Sequence, residues 1–114
     1  MKQPTIVCLC GSTRFVDTFN EWRQKLTLEG KIVLSIEVVT TQRKDQDPQH
    51  CAPDVKAMLN ELHLRKIDIA DEILVLNVGD YVGESTRREI LYAQLNCKKI
   101  RWLEPTKFDW QRHD

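Results

Sequence analysis

The stretch Asp71 to Ala93, DEILVLNVGDYVGESTRREILYA, constrains the fold of this chain more than any other. An apolar run from Ile73 to Val78 follows the acidic pair Asp71 and Glu72 and stops at Gly79. A run of that length without polar alternation reads as a strand covered on both faces, hence a central strand of a parallel sheet. Past Gly79 and Gly83, the segment Ser85-Thr-Arg-Arg-Glu89 opens a helix whose apolar positions Ile90, Leu91 and Ala93 are expected to face inward. Strand, glycine loop and helix form the building unit of open α/β sheets. Ligands of such sheets sit at the carboxyl ends of the strands, where helix N-termini offer free N–H groups to anions. Glu89, placed in the first turn of that helix, is the leading candidate for chemistry.

The remaining elements fall into line with this unit. Thr5 to Cys10 is a short apolar run ended by Gly11, a first strand. Ser12 is positioned to cap a helix through Phe15, Phe19, Trp22 and Leu26, which Gly30 closes. Lys31 to Val39 reads as a second strand, joined to the first by a right-handed crossover and therefore parallel to it. Residues 40–52, TTQRKDQDPQHCA, carry no periodicity and exceed a usual connection; they read as a lid or a disordered loop. Pro53 suits a first helical turn, and Val55, Met58, Leu59 and Leu62 then recur at helical spacing toward Ala70. Lys98 to Leu103 is a last strand, ended by Pro105. The expectation is an α/β fold: one domain over residues 1–104, a small doubly wound parallel sheet of order 2-1-3-4 with helices on both faces, and a tail over 105–114 carrying Phe108 and Trp110.

Charge and cysteine content narrow the function. Lys plus Arg and Asp plus Glu number 17 each, so no overall electrostatic footprint for a nucleic acid polymer or an anionic membrane exists. No run approaches the roughly 18 apolar residues of a spanning helix, and the start shows no cleavage site, which points to a cytoplasmic protein. Cys8 and Cys10 lie two apart on one face of a strand but lack the paired partner of a structural zinc site; reduced, buried thiols are the reading, with no metal. An open crevice on so short a chain calls for a partner subunit, so a homo-oligomer, at least a dimer, is expected.

Two segments carry candidate chemistry, each with an ordinary structural rival. Cys10-Gly-Ser-Thr-Arg14 combines a glycine, a hydroxyl at a helix N-terminus and an arginine one turn in, an anion cradle suited to phosphate; the rival is a plain turn with Ser12 as N-cap and Arg14 solvated. It is neither a P-loop nor a GxGxxG turn. Thr86-Arg-Arg-Glu89 matches a capping box, in which the glutamate merely serves the helix end. The opposing argument is place: at the switch point between the first and third strands, Glu89 and the Ser12/Arg14 loop face one crevice.

Taken together, CGSTR at 10–14, the strand after Asp71 and GESTRREILYA at 83–93 resemble the nucleoside 2-deoxyribosyltransferase superfamily, over most of residues 5–103. The first loop is closest to the branch that hydrolyses 2′-deoxynucleoside 5′-monophosphates. The resemblance implies hydrolysis or transfer at the N-glycosidic bond of a nucleotide, with Glu89 as nucleophile and no cofactor. Substrate contacts would come from Gly11, Ser12, Thr13 and Arg14 and from Asp80, Gly83, Ser85 and Thr86. Two departures stand out. Where the family carries an aspartate on the second helix this chain has His63, so either His63 or the nearby Asp68 would manage the proton of the leaving base. A surface histidine is the structural alternative for His63. The family's first-loop tyrosine is also absent, and Phe15 has no hydroxyl to replace it. A non-catalytic nucleotide-binding or sensing protein of the same fold is the competing function.

Overall fold

The structure, a computed structural model, describes residues 3–36 and 53–107. The 40–52 segment, the outer part of the second strand, Phe108 and Trp110 lie outside the described residues. In chain order the elements are β1 (Ile6–Cys10), a 3-10 turn (Thr13–Phe15), α1 (Val16–Leu28), β2 (Ile32–Leu34), α2 (Pro53–Ile69), β3 (Glu72–Val75), a second 3-10 turn (Val78–Asp80), α3 (Glu84–Leu95) and β4 (Lys99–Trp102). The four strands form one parallel sheet of order β2-β1-β3-β4, as expected. Cys10 pairs with Val75, so β1 and β3 end side by side. Their following loops share one edge of the sheet.

Strand alternation sorts the core into two halves. Val7, Leu9, Leu74 and Leu76 point to one side, where Phe19 and Leu26 of α1 cover them. Cys8, Cys10, Ile73 and Val75 point to the other, against Ile67 and Ala70 at the end of α2 and Ile90 and Ala93 of α3. Both faces of β3 are therefore buried, which explains why its sequence shows no polar alternation. Gly11 is set by the same closeness: a Cβ there would stand 3.3 Å from the Leu76 backbone oxygen and from Phe19.

Polar ties lock the ends of the sheet. The Ile6 N–H donates to the Asp71 carboxylate and the Asp71 N–H to the Ile6 carbonyl, both at 2.8 Å, joining the starts of β1 and β3. Lys98 donates to the Asp68 and Ala70 carbonyls, capping the C-terminus of α2. Beyond β3, the fully buried Asn77 donates to the Glu104 carbonyl and accepts from the Glu104 N–H, while Asp80 accepts from the Lys107 N–H. Glu104, at the expected end of the domain, and Lys107, in the expected tail, are thus fastened onto the 77–80 loop.

Two expected helix faces are corrected. Met58 and Leu62 are 53% and 48% exposed; the inward face of α2 instead runs through His63 and Ile67 to Ala70. The reason is length. Seventeen helical residues span about 25 Å, whereas strands of four or five residues span about 13–17 Å, so the first turns of α2 extend past the length of the sheet's strands and, among the described residues, leave Met58 and Leu62 uncovered. On α3, Ile90 and Ala93 are buried, but Leu91 is exposed. No helix among the described residues is long and apolar enough to cross a membrane.

Candidate functional site

Helix α3 begins earlier than its Thr-x-x-Glu pattern suggests. Its N-cap is Gly83, in extended backbone and without a side-chain cap, so Thr86 is the third helical residue and Glu89 the sixth. The capping box does not form, and Glu89 lies in the second turn, not the first. Freed from the helix end, its side chain turns into the core, where the residue is 8% exposed. The exposed acid at the helix start is Glu84, which pairs with Arg88 at 3.0 Å.

Glu89 meets His63 there. Its Oε1 lies 3.6 Å from His63 Nε2, and His63 is itself only 4% exposed, which removes the surface-histidine reading. The same imidazole nitrogen stands 3.8 Å from Cys8 Sγ and 3.4 Å from Cys10 Sγ. Four polar side chains from β1, α2 and α3 therefore meet under the C-terminal end of β1, in the otherwise apolar half of the core. Two of their atoms, His63 Nδ1 and Glu89 Oε1, are buried and make no hydrogen bond among the described residues. Buried polar atoms are nearly always paired, so such a cluster marks a functional place more often than a structural one.

Burial governs the protonation of this group. Loss of water pushes the Glu89 carboxyl up to about 7, although the nearby His63 charge draws it back. Burial works against a charged His63, but the Cys8 hydrogen bond and the Glu89 charge outweigh it and hold the imidazole above its ordinary range. Hydrogen bonding from Cys10 lowers the Cys8 thiol to about 6, and the same contact, with burial, raises Cys10. The two sulfurs thus share a proton.

Above this cluster lies the loop edge. Ser12 accepts from the Arg14 N–H at 3.2 Å and caps the 3-10 turn, so the hydroxyl has the N-cap role that the sequence offered as one alternative. The Arg14 guanidinium lies over the Tyr81 ring, 4.2 Å from its centroid, and Phe15 meets the same ring edge-on at 5.9 Å. Among the described residues Arg14 has no carboxylate partner, so its charge remains available to an anion. The loops after β1 and β3 are thereby brought together, as the switch-point argument expects. Gly83 sits against Tyr81 as well: a Cβ there would approach the Tyr81 hydroxyl to 3.3 Å.

The other candidates divide. Gly11 and Thr13 lie in the first loop beside Ser12, and Ser85 and Thr86 in the first turn of α3, with Thr86 buried. Asp80 has a structural post, accepting from Asn77 and from the Lys107 N–H, which holds its carboxyl below the usual range. Asp68 is not brought to Glu89: it accepts from the Tyr92 hydroxyl, pairs with Arg65 and lies one residue from the end of α2, where the chain turns into β3. Arg88 is exposed and held by Glu84. The sequence reading missed Tyr81 and the convergence of the two cysteines on His63. The spacing Leu59, His63, Ile67 and Ala70 was the signal that could have turned His63 inward.

No protein-family model, curated protein or solved structure matches the chain.

Proposed function

We propose that this protein cleaves or transfers at the N-glycosidic bond of a nucleotide, a nucleoside 5′-monophosphate, with Glu89 as the nucleophile. The observation that carries the reading is the buried Glu89 carboxylate, released from any capping role and set 3.6 Å from His63 under the switch-point loops. Glu89 attacks the anomeric carbon through an oxocarbenium-like transition state as the carbon–nitrogen bond breaks; His63 gives its proton to the departing base. The glycosyl ester is then resolved by water in hydrolysis, or by a second base in transfer. Arg14, stacked on Tyr81 at the loop edge, receives the 5′-phosphate together with the N–H groups beside Ser12. This is the chemistry of the nucleoside 2-deoxyribosyltransferase superfamily that the 10–14 and 83–93 segments resemble, with His63 in the place of the family's aspartate.

The deciding experiment is a panel of nucleosides and nucleoside monophosphates assayed for free base. Base release from a monophosphate supports the reading. Saturable binding without base release would make the chain a nucleotide-binding or sensing module instead.

A pH profile follows from the burial of Glu89. The attacking form is the carboxylate, and burial has moved its ionisation to about 7, so kcat/KM is expected to climb through about pH 7 rather than through the ordinary carboxylate range. A rate that is flat between about pH 5 and 8 would contradict a Glu89 nucleophile.

The working unit on this reading is a cytoplasmic homo-oligomer. α2 and α3 pack together and leave Met58, Leu62, Leu91 and Leu95 exposed, apolar surface that a second copy would cover. Light scattering is expected to give at least a dimer, and a fully active monomer at assay concentration would refute it.

A further inference from the structure

Cys8 and Cys10 have no paired C-x-x-C partner in the sequence, yet the fold gives them a third donor. On a strand, a spacing of two is what sets both thiols on one face, and α2 lays His63 across that face. The donor atoms of Cys8, Cys10 and His63 all lie within 4.8 Å of one another. A tetrahedron with metal–sulfur bonds of about 2.3 Å and metal–nitrogen bonds of about 2.0–2.1 Å has S···N edges of about 3.5 Å. His63 Nε2 stands 3.4 Å from one sulfur and 3.8 Å from the other. Glu89 Oε1 lies 3.6 Å from the same nitrogen but outside the set of three whose donor atoms are all within 4.8 Å of one another, so it borders the site rather than completing the tetrahedron.

A second observation points to a ligand independently of those distances. Among the described residues Glu89 Oε1 makes no hydrogen bond, its neighbour His63 Nε2 standing 3.6 Å away, although the side chain is only 10% exposed. A buried carboxylate oxygen so loosely held is one that a cation beside it would stabilise.

We propose that Cys8, Cys10 and His63 bind a zinc-like divalent cation, with the Glu89 carboxylate beside it as a neighbouring negative charge. Two thiolates and an imidazole in tetrahedral array select zinc over magnesium, calcium or manganese, which prefer oxygen donors and higher coordination. Binding releases the thiol protons to solvent, so affinity falls in acid. Occupancy also ties up His63 Nε2, the group assigned to give its proton to the departing base, making the loaded chain catalytically silent and the free chain active. That consequence rests on the proposed function; the binding does not.

The test uses the full reduced chain and Co2+ as a spectroscopic stand-in for zinc, under anaerobic conditions. The Cys51→Ser/Cys97→Ser double variant serves as background, leaving Cys8 and Cys10 as the only thiols. The expected result is one Co2+ per chain, with a thiolate-to-cobalt charge-transfer band and the intense visible bands of tetrahedral cobalt, both erased by a slight excess of Zn2+. In that background Cys8→Ser, and separately His63→Ala, should weaken Co2+ binding by roughly a hundredfold or more, with circular dichroism reporting that each variant is folded. Cys10→Ser is a third probe should either of these fail to fold. Absence of the bands in the background protein, or bands unchanged by the ligand substitutions, would overturn the site. Base release plays no part in this readout, so failure of the metal site and failure of the glycosidase reading are told apart.

Discussion

Glu89→Gln is expected to lower turnover by roughly 10³-fold or more while making the protein more stable at alkaline pH. The loss follows from chemistry, since a neutral amide attacks carbon poorly where a carboxylate attacks well. The gain follows from linkage. Burial raises the Glu89 carboxyl from 4.5 to about 7, so the folded state favours the protonated form and binds more protons than the unfolded chain between those values. Folding stability from this group is therefore intact below about pH 4.5 and declines as pH rises toward 7. At about 1.4 kcal/mol for each pH unit, carrying the buried charge costs about 3 kcal/mol at pH 8. Glutamine removes that cost. Denaturant unfolding at pH 8 should show the variant to be more stable, and the difference should vanish near pH 4.5. An active-site group that destabilises its own fold is a familiar sign of function. Wild-type turnover by a folded Glu89→Gln protein would end the case for this nucleophile.

Arg14→Ala is expected to reduce kcat/KM for a nucleoside 5′-monophosphate by about 1.5–3 kcal/mol, roughly 10- to 150-fold, and to leave the unphosphorylated nucleoside nearly unaffected. The guanidinium is exposed and lies on Tyr81, and among the described residues no acid neutralises its charge. Removing it deletes a charge-assisted contact to phosphate and one cation–π stack. If the stack were what matters, by holding the Tyr81 loop in place, both substrates would suffer alike. Parallel kinetics with the two substrates therefore separate phosphate recognition from loop support.

The sheet was legible because its signals are local. The run from Ile73 to Val78 declares burial on both sides, the glycines punctuate each strand-to-helix unit, and right-handed crossovers leave little choice of order. The burial of α2 was not legible in the same way. Leu59 belongs equally to the stripe through Met58 and Leu62 and to the one through His63 and Ile67, and only the overhang of a long helix beyond short strands selects the second. Thr86 to Glu89 shows the same limit at a helix end. The four residues fit a capping box as written, but the 77–83 loop, held by Asn77, Asp80, Glu104 and Lys107, starts the helix at Gly83.

By itself the sequence determined a parallel α/β sheet and the edge at which its loops gather, because apolar runs, glycines and crossover handedness act over a few residues or follow from chain geometry. Tertiary structure alone decided that Glu89 faces the core, that Asp68 is committed to Tyr92 and Arg65, and that Cys8, Cys10 and His63 converge in one buried cluster beside Glu89. The residues gathered there are up to 81 positions apart, from Cys8 to Glu89, and belong to three different elements. Which side chains meet there depends on the rotation of each helix about its axis, and that rotation is settled by packing against the sheet rather than by any neighbour in the chain.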